Sequence, residues 1–402
     1  MMLTKCPNQL KQNFRLFFIT TLSGLISGML VSSFLYCLNL VTEARNENSY
    51  FIYGLPLVGL IIPSIYKLVH AKAVRGFKLI LEEVQQPEQF VSWVMTPLIY
   101  ITSLLSHLVG ASVGRESAAL QMSASSADKL AYWFGLSNHE RNLVLRTGLS
   151  GGFAAALGAP WAGMFFGLEV LHTTQLKKWT PKLFFFCFIS SITAWSISVL
   201  LKAPHFEILT IEPPDFSSQL LFHLLILALF IGLISRFYTE ALRQTEFIFH
   251  KIPEIWRGGL GGFLVLVLYL IFPLSLYQGL GLESILSAFT LPPSYEIPLI
   301  KICLTILAIA IGFKGGDFIP LVFIGSTIAS ALAHHWQEPI SFFAALGFVS
   351  LFGAASKTPL TCGILACELF GWRISTYAFL LTYASYATAG PFGIYSLEKY
   401  KD

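Results

Sequence analysis

Apolar segments as long as a lipid bilayer is thick recur along the entire chain. A bilayer core of roughly 30 Å requires about 20 apolar residues per helix, and segments of this kind alternate with short polar connections such as 72–93. The segments are 14–41, 51–70, 94–113, 183–201, 219–237, 259–277, 295–313 and 373–389. Only 12% of the 402 residues are charged, which is about half the share in soluble domains. The pattern predicts an all-α polytopic membrane protein and excludes both a soluble enzyme and a single-span receptor.

Two further apolar stretches, 142–172 and 319–370, are interrupted by glycine and proline. Broken helices at membrane depth are tolerated where the backbone lines a protected cavity. We therefore expect a bundle of many tilted and broken helices around a transport pathway, with membrane lipid as its surroundings.

Basic residues stand close to both ends of the sequence. They are Lys5, Lys11, Arg15, Lys399 and Lys401. The positive-inside rule places such residues in the cytoplasm, so we expect both termini to be cytoplasmic, with residues 1–13 as a cytoplasmic N-terminal segment. We expect the protein to be a multi-pass protein of the cell membrane, which is the inner membrane if the source is bacterial. The net charge of +4 is small and dispersed, so nothing favours nucleic-acid binding.

A pattern of an Ala-Ala pair, a proline and a glutamate at 155–169 recurs with the same spacing at 354–368. The match predicts two membrane repeats, 14–205 and 206–402, although chance agreement between alanine-rich helices is the alternative. Paired, interrupted helices in two halves of a transporter point to a binding site between them, near the bilayer midplane.

The segment Gly114-Arg115-Glu116 places an ionisable pair inside an apolar stretch. A charge at membrane depth costs about 2.5–3.5 kcal/mol on insertion scales and therefore marks function. We expect Glu116 in the first turn of a new helix, where free N–H groups and the helix dipole favour an anion. Its carboxylate can occupy a site for which a diffusing anion competes, and can leave that site when it takes up a proton. A buried ion pair with Arg115 is the alternative.

A second segment, 312–320, places two glycines before Asp317 and a proline after it. This arrangement predicts a loop that enters a helix at membrane depth. The N–H groups of Asp317, Phe318 and Ile319 are expected to face the same site from the other half of the chain. A simple turn between helices is the alternative.

In their order and spacing, these motifs resemble the CLC family of anion channels and transporters over most of the chain. Residues 114–116 are similar to the start of the family's G-R-E-G-P motif, in which Ser117 and Ala118 replace the last two residues, and 316–320 fits its G-x-F-x-P motif. The alanine-rich segments 149–171 and 353–368 and the tyrosine segment 394–396 also resemble the family. It implies a CLC-type fold of two inverted repeats, a pore in each subunit, and a homodimer.

The resemblance also implies roles for individual residues. Glu116 corresponds to the gating and proton-accepting glutamate, and Phe318, Ile319 and Tyr395 to residues that line the central anion site. Without the resemblance, Tyr395 is equally an aromatic residue at a membrane interface. The full anion-binding set that we predict is Gly114, Arg115, Gly316, Asp317, Phe318, Ile319, Tyr395 and Arg75. The expected ligands are fluoride or chloride and protons, with no cofactor and no metal.

Three positions depart from the chloride-transporting pattern. Val170 stands where many proton-coupled members have an inner glutamate. Arg75 and Lys78 replace the serine and proline of the inner G-S-G-I-P motif; a guanidinium there would bind anions more strongly than a hydroxyl, unless both residues lie at the cytoplasmic surface. Asp317 is a carboxyl where chloride-selective members are apolar. It resembles the fluoride-exporting branch of the family, although Phe318 follows the chloride type.

Three functions are weighed against these residues. The first is proton-coupled exchange of a small halide, fluoride or chloride. The second is a passive CLC-like anion channel without proton coupling, which Val170 favours. The third, an intramembrane enzyme, needs a nucleophile and a base in register, and the sequence has no H-E-x-x-H segment, so we predict that the protein is not an enzyme. His107 is a candidate proton shuttle, with helix packing as the alternative.

Overall fold

The chain is all-helical, as predicted. A computed structural model describes residues 6–69, 73, 75–170, 179–206, 209–272 and 274–396, with no account of the side chains of 6–10. Over these ranges the chain forms 16 α-helices, and the one β-type pairing is an isolated bridge. The first-half helices are α1 (Cys6–Glu47), α2 (Leu55–Val69), α3 (Phe77–Gln85), α4 (Met95–Leu108), α5 (Glu116–Trp133), α6 (Asn138–Leu157), α7 (Pro160–Glu169) and α8 (Pro181–Leu200). The others are α9 (Ser218–His250), α10 (Glu254–Ile271), α11 (Leu282–Ser287), α12 (Glu296–Ala310), α13 (Phe318–Trp336), α14 (Ile340–Ser356), α15 (Pro359–Phe370) and α16 (Ser375–Thr388).

Helices long and apolar enough to cross a bilayer coincide with five of the predicted apolar segments. Among the described residues there are 6 such helices: Lys11–Glu47, Ser49–Val69, Pro181–Leu200, Ser218–His250, Glu254–Ile271 and Phe318–Trp336. The last of these lies in the stretch that was expected to be interrupted, and the segments 94–113, 295–313 and 373–389 form the shorter helices α4, α12 and α16. The 33 residues of α9 extend over about 50 Å, so this helix must tilt or project beyond the hydrocarbon core. The chain is therefore a multi-pass membrane protein. Lys5, Lys399 and Lys401 lie outside the described residues, and the orientation of the termini stays a prediction.

The alanine-rich segments break at matching positions. Helix α6 ends at Gly158, which has a left-handed backbone (φ 71°), and Pro160 starts α7. Helix α14 ends in the same way at Lys357 (φ 62°), and Pro359 starts α15. Both copies of the sequence pattern thus form a helix, a tight break and a second helix. The division of the chain at residue 206 into two repeats stays a prediction.

Helix α3 lies within the polar connection 72–93. Most of its residues are buried, including Glu83, which forms an ion pair with Arg141 of α6 at 3.1 Å. Arg141 also binds Asp128 at 2.6 Å. The buried charge of Glu83 is therefore neutralised inside the protein.

By its contacts the chain forms two compact units. The first comprises Met1–Tyr36, Arg75–Pro97 and Ala119–Phe206, and the second comprises Cys37–Val74, Leu98–Ala118 and Glu207–Asp402. The first unit includes α6, which packs against α3, α7 and α8. In the second unit α13 packs against α12 and α14. The most apolar window of α13 is 83% buried, whereas that of α9 is 39% buried, so α13 belongs to the interior and α9 has a large exposed apolar surface.

Helices α2 and α10 of the second unit pack at very close range. A Cβ at Gly59 would overlap the carbonyl group of Gly258, and a Cβ at Gly262 would lie 2.5 Å from the carbonyl oxygen of Leu55. Glycine at such contacts lets helix backbones approach closely in a membrane. Because 59 lies beside 258 and 55 beside 262, the helices are antiparallel, and the last turns of α2 adjoin the first turn of α10.

Candidate functional site

The two predicted motif segments are joined by their glycines. The N–H of Gly114 donates to the carbonyl of Gly316 at 2.6 Å, and the N–H of Gly316 donates back to Gly114 at 2.9 Å. This is the isolated antiparallel bridge of the fold. A Cβ at Gly114 would lie 2.8 Å from the Gly316 oxygen, and one at Gly316 would lie 2.6 Å from the Cβ of Ser117. Only glycine fits at these two positions without displacing the backbone.

A buried helix starts two residues beyond each bridged glycine. Helix α5 begins at Glu116 and α13 begins at Phe318. The N–H groups of the first helical turn have no partner within the helix and carry a partial positive charge. The bridge therefore holds two helix N-termini together, as the sequence predicts, and both belong to the second unit.

Glu116 is paired with its neighbour Arg115. Its side chain is 1% exposed, and its two carboxylate oxygens accept from the backbone N–H of Arg115 at 3.2 Å and from the Arg115 Nε at 3.3 Å. Arg115 is 3% exposed. The ion pair weighed as the alternative is thus present. A carboxylate paired in this way still lies at the start of α5, beside the N-termini that an anion would use.

Asp317 precedes α13 but does not cap it. An aspartate at this position commonly accepts a hydrogen bond from its own helix, yet Asp317 makes no side-chain capping bond and its backbone is helical. Its Oδ1 instead accepts a hydrogen bond from the Tyr238 hydroxyl at 2.6 Å. Tyr238 is fully buried in the middle of α9. This contact fixes the carboxyl at the site.

Aromatic side chains connect Phe318 to Tyr395 through Phe352. The rings of Phe318 and Phe352 meet edge to face with their centroids 4.6 Å apart, and Phe352 and Tyr395 do so at 6.4 Å. The Tyr395 phenol is also close enough to Asp317 and to Glu116 for an electrostatic interaction with both. One hydroxyl thus lies within electrostatic range of both carboxyls, and its role as an anion ligand stays a prediction.

Tyr395 is held in place by the second alanine-rich segment. The N–H of Ile394 donates to the carbonyl of Ala355 at 2.8 Å, and the Ser396 hydroxyl accepts from the N–H of Gly393 at 2.8 Å. This tight turn ties the end of the described chain to the end of α14, so the position of the phenol follows from that of α14.

Behind the glycine bridge lies His107, at the end of α4. Its Nε2 is 3.3 Å from the carbonyl oxygen of Gly114, which can only accept, so Nε2 carries the proton. Its Nδ1 is buried and has no hydrogen-bond partner among the described residues. The ring therefore donates a hydrogen bond to the bridged residue Gly114, and the proton-shuttle assignment stays a prediction.

The remaining predicted residues lie elsewhere. Arg75, in the first unit, forms an exposed ion pair with Glu82 of α3, and its role as an anion ligand stays a prediction. Val170 directly follows α7, whose last residue is the buried Glu169. Among the residues that the structure describes, no cluster of three or more His, Cys, Asp or Glu could hold a metal.

Sequence reasoning missed two residues of the site, Tyr238 and Phe352. Tyr238 has little local signal, because Ser235, Arg236, Thr239 and Glu240 beside it in the sequence are also polar. Phe352 has none, since it is one of 35 phenylalanines in the chain. Both residues reach the site only through the packing of α9 and α14.

Comparison with known proteins agrees with the sequence motifs. A family model for voltage-gated chloride channels matches residues 57–390. A relative described as a chloride/fluoride channel protein, from Pseudomonas syringae pv. tomato, is 31% identical over 388 residues, which covers 94% of this chain and 85% of the relative.

Solved structures give the same result. The crystal structure of a CLC-type fluoride/proton antiporter is 26% identical and superposes with a TM-score of 0.91, covering 96% of this chain and 98% of the other. A slow cyanobacterial Cl⁻/H⁺ antiporter shares the fold, with 22% identity, a TM-score of 0.82, and coverage of 95% and 96%. The chain thus belongs to the voltage-gated chloride channel (CLC) family of anion-transport proteins.

Proposed function

We propose that the protein is an antiporter that exchanges a small halide, fluoride or chloride, for protons through a pore in each subunit. One observation carries this proposal: two carboxyls, Glu116 and Asp317, lie at the starts of two helices whose preceding glycines are hydrogen-bonded together. Helix N-termini attract anions, and carboxyls take up protons. The two transported species therefore compete at one place.

Glu116 acts as the gate in this proposal. Its carboxylate, held by Arg115, occupies the space in front of the N-terminus of α5. Protonation removes the negative charge and with it the attraction to Arg115, so the side chain can leave and an anion can enter. Proton uptake and anion entry are then coupled by competition for the same helix end.

Asp317 acts as the second proton carrier. Its carboxyl accepts a hydrogen bond from Tyr238, and the Tyr395 phenol is within electrostatic range of both Asp317 and Glu116. A proton that arrives at one carboxyl thus has a second acceptor close by. This carrier takes the place of the inner glutamate, whose position is occupied by Val170.

Fluoride is the halide that we propose first. A small anion is strongly hydrated, so it enters a pore only where hydrogen-bond donors replace its water. Protonated Asp317 and the Tyr395 hydroxyl supply such donors. A relative named as a chloride/fluoride channel protein and a structural neighbour described as a fluoride/proton antiporter support the same choice.

A passive anion channel is the second candidate. It is favoured by Val170, because a chain without the inner glutamate has lost one known type of proton acceptor. In this case Glu116 would gate anion flow without carrying protons through the membrane.

Reconstituted transport separates the two candidates. The purified protein is placed in liposomes under a proton gradient, and fluoride, chloride and protons are followed with ion-selective electrodes and an internal pH dye. An antiporter drives anion movement against its own gradient. A channel gives an anion flux whose reversal potential does not change with the proton gradient, and that outcome would refute the antiporter.

We further propose that two copies form a homodimer in the cell membrane, with both termini in the cytoplasm. Cross-linking of the protein in native membranes tests the dimer. Modification by a membrane-impermeant reagent of a single cysteine placed beside Lys11, in a background without accessible thiols, tests the orientation; labelling from the outer side in intact cells would contradict it.

A further inference from the structure

A small cavity lies beside the loop that leads from α12 into the candidate site. It is formed by the last turns of α2, the first turn of α10 and the loop residues Gly312 and Lys314, and its volume is about 20 Å³. A cavity of roughly 10–15 Å³ by this measure holds one water molecule. The space therefore suits one water molecule or one ion of similar size.

Two cations and one carboxylate line this cavity. Arg257 and Lys314 line it together with one carboxylate, the exposed Glu254, and Glu246 of α9 is also within electrostatic range of Lys314. Neither cation belongs to an ion pair with a described residue, in contrast to Arg115 and Arg141. The ammonium of Lys314 lies over the ring of Tyr66, 4.6 Å from its centroid.

Arg257 has a donor that is not used. Its Nε is buried and has no hydrogen-bond partner among the described residues. Leaving a buried donor without a partner destabilises a protein, so the Nε calls for a water or an ion as its partner. An anion in the cavity would accept from the guanidinium and would lie close to the Lys314 ammonium.

The cavity is built into the packing of its helices. Contact between Gly59 and Gly258 fixes α2 against α10, which sets Tyr66 and Arg257 beside each other. Lys314 is held from the other side, since its N–H donates to the Ser106 hydroxyl at 3.0 Å. The cations therefore do not depend on a ligand to bring them together.

We propose that this cavity is a docking subsite for a small inorganic anion on its way to or from the candidate site. Lys314 precedes Gly316 by two residues, so their Cα atoms are at most about 7 Å apart. An anion leaving the cavity would reach the bridged glycines and Asp317 over a short distance. The place of the subsite in a transport pathway rests on the proposed function, whereas anion binding in the cavity does not.

Arg257→Gln removes one of the two positive charges that line the cavity and thereby tests the subsite. Arg257→Lys retains the charge, and Lys251→Gln, which removes an exposed cation six residues away that does not line the cavity, is the matched control. Two measurements are made on the full-length protein: equilibrium exchange of fluoride or chloride at equal concentrations on both sides of liposomes, and the thermal stability of the detergent-solubilised protein as sodium fluoride or chloride is added.

We expect Arg257→Gln to raise the half-saturating anion concentration by about fivefold in both measurements, with the maximal exchange rate unchanged. Arg257→Lys should give a smaller rise, because it keeps the charge but lacks the guanidinium donors, and Lys251→Gln should stay within about twofold of the parent. An equal shift in Lys251→Gln would reveal a general surface potential, and an equal rise in Arg257→Lys would show that the positive charge contributes nothing; either result overturns the subsite.

Two further outcomes separate this inference from the proposed function. If the parent protein transports no anion but its stabilisation by fluoride or chloride still depends on Arg257, the subsite stands and the proposed function fails. If transport occurs but Arg257→Gln matters only in vesicles of anionic phospholipid, and has no effect in phosphatidylcholine or in detergent, the occupant is a lipid headgroup and the proposal for a small anion is wrong.

Discussion

The two carboxyls at the site lie near the starts of two helices but have different partners. Glu116 and Asp317 each lie next to the start of a buried helix, close to a bridged glycine. Glu116 is paired with the guanidinium of Arg115, whereas Asp317 accepts a hydrogen bond from the neutral hydroxyl of Tyr238. The starts of the two helices therefore present a carboxyl in an ion pair in one case and a hydrogen-bonded carboxyl in the other.

This difference determines what each carboxyl can do when it takes up a proton. Protonation of Glu116 abolishes its attraction to Arg115, so the side chain is released. Protonation of Asp317 leaves the contact with Tyr238 possible, because a hydroxyl can hydrogen-bond to either form of a carboxyl. We infer that a movable gate needs a charged partner and that a stationary proton carrier needs a neutral one.

The largest expected effect is that of Glu116→Gln, which removes the ionisable group of the gate. The amide is isosteric but takes up no proton, so proton flux should fall below detection while anion flux continues. Simultaneous recording of the pH dye and the anion electrode in liposomes checks this. Proton-coupled uptake that survives the substitution would show that Glu116 is not the gate.

Asp317→Asn should come second. Loss of a positioned proton-transferring group typically costs a factor of about 10²–10⁴, so we expect proton flux to fall by about a hundredfold. Asp317→Glu, which keeps a carboxyl, is the control and should retain coupling. If proton flux in Asp317→Asn equals that of the parent, the second carrier lies elsewhere and the comparison of the two carboxyls loses its functional meaning.

Removing the charged partner should lower stability and change anion binding. Breaking one side of a buried ion pair costs about 3–5 kcal/mol, so Arg115→Gln is expected to lower the free energy of unfolding by this amount, and Arg115→Lys by less. Without Arg115, Glu116 also loses the partner that holds it in front of α5, so an anion should enter more readily and the half-saturating anion concentration should fall about tenfold, which corresponds to about 1.4 kcal/mol. Titration with SDS in mixed micelles and equilibrium exchange measure the two quantities. Equal stability of Arg115→Gln and the parent would contradict a structural ion pair.

The sequence alone was sufficient for the parts of the fold that depend on local composition. Long apolar helices such as α9 and the breaks at Gly158 and Lys357 lie where hydropathy, glycine and proline predict them. Helix α3 was not predicted, because its charged residues lower the hydropathy of a segment most of whose residues are nevertheless buried. Its Glu83 is neutralised by Arg141, which is 58 residues away in the chain, and no local pattern reports such a partner.

For the candidate site too, the sequence predicted some residues and missed others. Gly114, Glu116, Gly316 and Asp317 were identified because each motif combines glycines and charges within a few residues of an apolar run. Tyr238 was not, since the chain brings it to Asp317 only when α9 packs beside the start of α13, and a separation of 79 residues leaves no periodic trace. Local signals thus identified the carboxyls, and the structure was needed to identify their partners.

Tyr238→Phe should have the smallest effect of the four, and it is the sharpest test of the difference between the two carboxyls. It deletes one hydroxyl and keeps the ring that packs within α9. A hydrogen bond to a charged group contributes about 1.5–3 kcal/mol, so the free energy of unfolding should fall by less than it does in Arg115→Gln. Asp317 keeps its carboxyl, so proton coupling should persist, with proton flux reduced by about threefold as the carrier loses its fixed position.

Thr239→Val, at the neighbouring position, removes a hydroxyl that bonds only within its own helix and serves as the matched control. If Tyr238→Phe abolished proton flux as completely as Asp317→Asn, the phenol itself would carry the proton, and the neutral partner would be part of the pathway instead of a support for it.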